Sequence, residues 1–170
     1  LLKALPSFLR ACYRLIMKRI ALLIASLLLV TGCSQDATEK LWEDGLPVKL
    51  YFVADTPRGL KLFSEERSYA AFDDMNLQVI SDLVSGKVAP LDPDYTNLWG
   101  GTNTVNSVTV NGSVATVDLG AISLNVGAEA EQRAIDQIVW TLTAITPAVK
   151  SVGFTVNGKK IEYIAGHVDT

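Results

Sequence analysis

A two-layer α+β sandwich, with two helices on one face of a mainly antiparallel sheet of about four to six strands, is the fold this sequence predicts. Three observations carry that reading. Two Asn-Gly pairs, Asn111-Gly112 and Asn157-Gly158, sit between β-branched runs, the pattern of tight hairpins. Two stretches space their apolar residues at helical intervals. The resulting order is β, β, α, β, β, α, β, β, in which hairpins alternate with helices.

Val48–Ala54 (VKLYFVA) is rich in β-branched and aromatic residues and follows Pro47, so it reads as the first strand. Asp55-Thr56-Pro57-Arg58-Gly59 is a turn, and the weak alternation of Leu60–Tyr69 makes that run the candidate partner strand. Asp73 or Asp74 caps a helix running to about Ser85, with Phe72, Met75, Val79, Ile80 and Leu83 as its apolar face and Gly86 as its stop. Lys87–Thr104 is irregular, with Pro90, Pro93 and Gly100-Gly101; loops of that length are often functional. Val105–Leu119 is the clearest hairpin, with Asn111-Gly112 expected in a type I′ turn. Ala128–Ile145 is the strongest helix, with Ile135, Ile138, Leu142 and Ile145 on one face, Glu129 and Glu131 in its first turn, and Pro147 beyond its end. Val149–Val156 and Lys160–Ile164 complete the strands.

The N-terminal region has a different composition. Lys18 and Arg19 precede an uninterrupted apolar run, Ile20–Val30, that is too short to span a bilayer and has the proportions of a signal-peptide core. Val30-Thr31-Gly32-Cys33 follows and resembles a lipobox. That resemblance implies a diacylglycerol on Cys33 and cleavage before it; the two acyl chains it carries make the anchor stable. Residues 1–32 are therefore read as a signal peptide, with 1–16 an upstream extension if Met17 is the true start rather than Leu1. Residues 33–46 form the lipidated N-terminus and tether, 47–165 the folded domain and 166–170 a tail. Trp42, the tether's one large apolar side chain, is read as packing on the domain edge.

From Cys33 onward ten Lys and Arg face eighteen Asp and Glu, a net charge of −8. An acidic domain is a poor partner for nucleic acid or anionic envelope polymers. Cys12 falls in the removed segment and Cys33 carries lipid, so neither a disulfide nor a thiol nucleophile is available. His167, the lone histidine, sits near the C-terminus, where chains fray. Zinc-ligand spacing, a phosphate-binding loop and a dinucleotide fingerprint are all missing, so no cofactor and no metal are expected. The pairs Asp92/Asp94 and Asp73/Asp74 read as a turn former and a helix cap, and Asp118 as a bonding partner for the turn that follows its strand.

Several segments together resemble the GerMN (Germane) domain of sporulation and spore-germination lipoproteins, which also occurs in other envelope lipoproteins. They are Val48-Lys49-Leu50-Tyr51-Phe52, Gly101-Thr102 before Val108-Thr109-Val110, and Val114–Leu119 (VATVDL). Gln137–Thr143 (QIVWTLT) and Val152–Gly158 (VGFTVNG) complete the set, so the resemblance covers nearly the whole chain after Cys33. Family members often place Gly-Pro after the first helix, where this chain has Gly86-Lys87. The resemblance implies an α+β fold like the ring-building modules of secretion channels, and an envelope scaffold or interaction role. It implies no catalytic residues.

One side chain stands out for binding. On a helical wheel Trp140 falls opposite the apolar stripe, beside Arg133, Asp136 and Gln137, so it is either covered by the tether or terminal strand or is an interface residue. Trp99, in the Leu98-Trp99-Gly100-Gly101 loop, is either inserted in the core or a second interface candidate, and Arg133 a third. The expected protein is an extracytoplasmic, membrane-anchored lipoprotein with a non-catalytic binding or scaffold domain. Its partners are the membrane, through the lipid on Cys33, and an envelope protein or peptidoglycan; self-assembly into a homo-oligomer is left open, and nucleic acid is excluded. The competing readings are a cell-wall glycan enzyme using loop carboxylates, and a small-ligand receptor with its pocket between the Lys87–Thr104 loop and the sheet.

Overall fold

The structure is a computed structural model and describes residues 45–164 and Gly166. The lipobox, Cys33, Trp42 and His167 lie outside the described residues. Strand β1 (Leu46–Thr56) and strand β2 (Gly59–Tyr69) form an antiparallel hairpin in continuous register from Leu46↔Tyr69 to Thr56↔Gly59. The turn between them is held by Thr56, whose Oγ1 donates to the Gly59 carbonyl at 2.7 Å and accepts from the Arg58 N–H at 3.2 Å.

Helix α1 (Met75–Val84) begins where the sequence puts a cap: Asp74 Oδ1 accepts the Leu77 N–H at 2.9 Å. Phe72 therefore precedes the helix and cannot join its apolar stripe; it is 45% exposed. Gly86, at φ +71°, ends the helix, and a Cβ there would come within 2.8 Å of the Gly100 Cα. The glycine pair thus lets the far end of the long loop close onto the helix terminus.

Strand β3 (Val105–Asn111) pairs with β4 (Val114–Leu119) as the expected hairpin. Its turn differs from expectation. Asn111 pairs with Val114, so Gly112 and Ser113 form the two-residue loop, and only Gly112 has positive φ. That is the requirement of a type II′ turn, with glycine at its first position. The type I′ pattern occurs instead between β5 (Ser151–Val156) and β6 (Lys159–Lys160), where Asn157 (φ +49°) and Gly158 (φ +74°) are both left-handed. The same dipeptide gives two turns because strand register, not composition, decides which residues occupy the loop.

Helix α2 (Ala128–Ile145) connects β4 to β5, which lie parallel. The strands divide between two sheets, β1-β2 and β3-β4-β5-β6, with antiparallel pairing everywhere except β4-β5. This remains the α+β class, and α2 supplies the reason for the division. The outer edge of β1 is already occupied: Tyr51 N–H donates to Thr141 Oγ1 at 3.1 Å, and the Tyr51 carbonyl accepts from Gln137 Nε2 at 2.9 Å. One step along, Val53 pairs with Thr96 of the long loop through bonds of 2.9 and 2.7 Å. No room is left on that edge for another strand.

Leu50 and Phe52 from β1, Val79, Ile80 and Leu83 from α1, Ala115, Val117 and Leu119 from β4, and Ile138 and Leu142 from α2 meet in one core. Alternation along β4 puts Ala115, Val117 and Leu119 inside, and Phe154 lies beside Val117 in the parallel pair.

Candidate binding groove

The sequence-derived interface candidates separate sharply. Trp140 is 52% exposed, and its ring lies 5.8 Å from that of Tyr51 at 39°. Neither the strands nor the loops among the described residues bury it. Trp99, in contrast, is 4% exposed, and its Nε1 donates to the Ala134 carbonyl of α2 at 2.6 Å. It is a core residue, which removes it as an interface candidate. A buried indole N–H requires an acceptor, and the α2 backbone provides one. Arg133 is partly exposed and spends its charge on Asp136, one turn along the same helix.

Gln137 does not share the polar face with Trp140, as the wheel suggested. It is fully buried, and its Oε1 accepts the Leu98 N–H at 3.0 Å while Nε2 donates to Tyr51 O and, at 3.3 Å, to Asn97 Oδ1. Asn97 in turn donates to the Leu83 carbonyl at 2.8 Å and accepts from Trp99 N–H at 3.1 Å. These two amides tie β1, α1, α2 and the long loop together. The loop's other end is held by Glu65, whose carboxylate accepts the N–H groups of Leu91 and Asp92 and pairs with Arg67. Burial raises the Glu65 pKa, but the Leu91 and Asp92 N–H groups and the Arg67 guanidinium outweigh it and hold the group below its ordinary value.

The loop is therefore tied into the fold, and a groove formed by the described residues lies elsewhere than between that loop and the sheet, where the competing receptor reading put its pocket. Asp92 serves its own turn, accepting the Asp94 N–H at 2.9 Å. Among the described residues no group of three His, Cys, Asp or Glu is placed to hold a metal. The groove, of about 790 Å3, lies between the start of β1, the N-terminus of α1 and the C-terminus of α2. Its walls include Lys49, Tyr51, Glu66, Phe72, Asp73 and Asn76. Its size falls in the range of about 300–1,000 Å3 typical of small-ligand clefts. Trp140 stands at one end, joined to it through Tyr51 and through Ala144, its neighbour one helical turn along. The sequence offered one signal for this site: if Asp74 is the cap, Phe72 lies outside the helix and needs another role. Tyr51, Lys49 and Glu66 gave none, because a half-buried Tyr and exposed Lys and Glu on strands are ordinary in sequence.

At the other end of the domain Asp118 joins three strands and a turn. Its carboxylate accepts from Thr155 Oγ1 at 2.6 Å, from Asn106 Nδ2 at 2.9 Å and from Gly158 N–H at 2.7 Å. The Thr155 hydroxyl, then the Asn106 amide and the Gly158 N–H, lower its pKa below the ordinary carboxylate value. A folded-state pKa below the unfolded one means that the stabilisation is present above an unfolded value of about 3.9 and is lost as pH falls through the folded value. Stability measured by urea denaturation should thus fall on acidification below about pH 4. Asp118→Asn should be less stable at neutral pH and show a shallower acid limb. An unchanged limb would show that these bonds do not favour the ionised form.

Comparison with known proteins bears on the fold. The chain matches the family model described as Germane, sporulation and spore germination, over residues 49–162. Its fold is similar to that of the first GerMN domain of the sporulation protein GerM from Bacillus subtilis, with a TM-score of 0.59 and 20% identity over 74% of this chain and 93% of that one. The tandem GerMN domains of the same protein give the same TM-score and identity, again over 74% of this chain but over 44% of the longer one. Comparison with curated protein sequences finds no match. The family match spans the domain from β1 to just beyond β6: the chain belongs to the Germane family.

Proposed function

We propose that this protein is an extracytoplasmic lipoprotein, held on the membrane by acyl chains on Cys33, whose Germane domain binds or scaffolds an envelope component without chemistry of its own. The observation that carries the reading is the apolar run Ile20–Val30, whose last residue opens the lipobox-like Val30-Thr31-Gly32-Cys33. Two acyl chains on one cysteine would hold the protein stably, at about 0.8 kcal/mol per buried CH2. No helix among the described residues is long and apolar enough to cross a membrane. A binding role fits a domain with a groove walled by aromatic, acidic and basic side chains, and its net charge disfavours nucleic acid.

Cys33→Ala is expected to move the protein from the membrane fraction to the soluble fraction, or to leave it unprocessed. The mass of the native mature chain should include the lipid. An unmodified Cys33 at the mature N-terminus would end this reading.

A further inference from the structure

The groove between β1, α1 and α2 is assigned no ligand by family membership, and its chemistry narrows the choice. We propose that it binds a segment of uncharged oligosaccharide, with Trp140 and Tyr51 stacking on pyranose rings and Glu66, Asp73, Asn76 and Lys49 hydrogen-bonding the hydroxyls. The proposal rests on the binding reading above and gives it a ligand class.

The aromatic rings come first. Trp140 and Phe72 are 52% and 45% exposed, and Trp140 makes a bent platform with Tyr51. Phe72 and Tyr51 line one groove and Trp140 adjoins Tyr51, and apolar rings gathered in this way mark a binding surface. The C–H faces of a sugar ring are apolar and flat enough to do so, while its rim remains polar, which matches an amphipathic wall.

The polar groups come second. Among the described residues Glu66, Asp73 and Lys49 show no side-chain hydrogen bond or ion pair, although Lys49 and both carboxylates line one groove. Asn76 is oriented by Thr146, whose hydroxyl donates to Asn76 Oδ1 at 2.9 Å, leaving the amide N–H groups to donate elsewhere. The groove thus offers both acceptors and donors. Sugar hydroxyls use both, whereas a lipid chain or an apolar helix would leave them buried and unpaired.

Two other ligand classes fit less well. The groove's charged residues are Lys49 against Glu66, Asp73 and Asp74, so a polyanion meets net repulsion. A peptide adding as a strand needs a run of free backbone groups on β1, and that edge has none: Val53 is paired with Thr96, Tyr51 is held by Gln137 and Thr141, and residue 47 is proline.

The test is a titration of the full chain in detergent with a β-1,4-linked N-acetylglucosamine tetramer, read by tryptophan emission and by calorimetry. A saturable response is expected. Trp140→Ala should weaken it about tenfold or more, as truncation of a central aromatic contact does. Glu66→Gln combined with Asp73→Asn should weaken it several-fold, and neither side chain holds the fold together, so this variant remains informative if Trp140→Ala is poorly folded. Absence of a saturable response, equal affinity in the aromatic and carboxylate variants, or binding of oligolysine in place of the sugar would each overturn the proposal. Failure here leaves the lipid anchor to be judged by the mass at Cys33, and success stands whatever that mass proves to be.

Discussion

Trp99→Ala is expected to cost about 3–5 kcal/mol of unfolding free energy, the range for deleting a buried aromatic ring, while Trp140→Ala costs within about 1 kcal/mol. The two residues have the same chemistry, so the contrast isolates position. Trp99 is in the core cluster with Ile80, Leu83 and Ile138, and its loss leaves a cavity in close-packed surroundings. It also leaves the Ala134 carbonyl without the indole donor that reaches it at 2.6 Å. The ring and its bond fasten the long loop to α2, so the variant should also loosen the loop, seen as faster amide exchange around Leu98 and Asn103. Trp140 stands half in solvent, with the Tyr51 ring beside it. Denaturant midpoints of the two variants, measured side by side, decide the matter. Equal losses would mean that Trp140 is packed under the tether or the terminal segment, and its place at the end of the groove would have to be withdrawn.

The contrast also shows what a sequence can reveal. The helix Ala128–Ile145 and the cap at Asp74 were legible because helical periodicity and capping are local. The hairpin strands were legible for the same reason. The turn at Gly112-Ser113 was not, since a one-residue difference in pairing exchanges the loop residues, and pairing is a long-range property. Nor was the division into two sheets, which depends on α2 side chains reaching across to the edge of β1. The helical wheel placed Gln137 with the polar residues and so with solvent. A wheel reports direction around an axis and says nothing of what lies there. At Gln137 that side of α2 meets backbone from β1 and the long loop, while at Trp140 it meets water. The groove was hidden for a related reason: its walls come from β1, β2, α1 and α2, and no one of those segments carries a binding pattern alone.

Gln137→Leu is expected to destabilise the domain by about 2–5 kcal/mol, although the two side chains are similar in volume. Leucine would fill the space and leave no large cavity, so the loss comes from polar groups deprived of partners. The Leu98 N–H loses an acceptor at 3.0 Å and the Tyr51 carbonyl a donor at 2.9 Å. Each orphan costs about 1–3 kcal/mol where water cannot reach it. Thr141→Val removes only the acceptor of the Tyr51 N–H and should cost less. Gln137→Glu gives a sharper test of mechanism. Glutamate keeps the acceptor for Leu98 but has no N–H to give, so at neutral pH its charge would face the Tyr51 carbonyl and Asn97 Oδ1. Burial and those oxygens would raise its folded pKa above the unfolded value of about 4.3. The penalty is then full above the folded pKa and shrinks as pH falls toward the unfolded value, where the protonated carboxyl can donate. The stability gap between Gln137→Glu and the unmodified chain should therefore narrow on acidification, opposite in sign to the acid loss expected from Asp118. A loss below about 0.5 kcal/mol in Gln137→Leu, or a gap indifferent to pH in Gln137→Glu, would mean that the edge of β1 is held by packing and not by this amide.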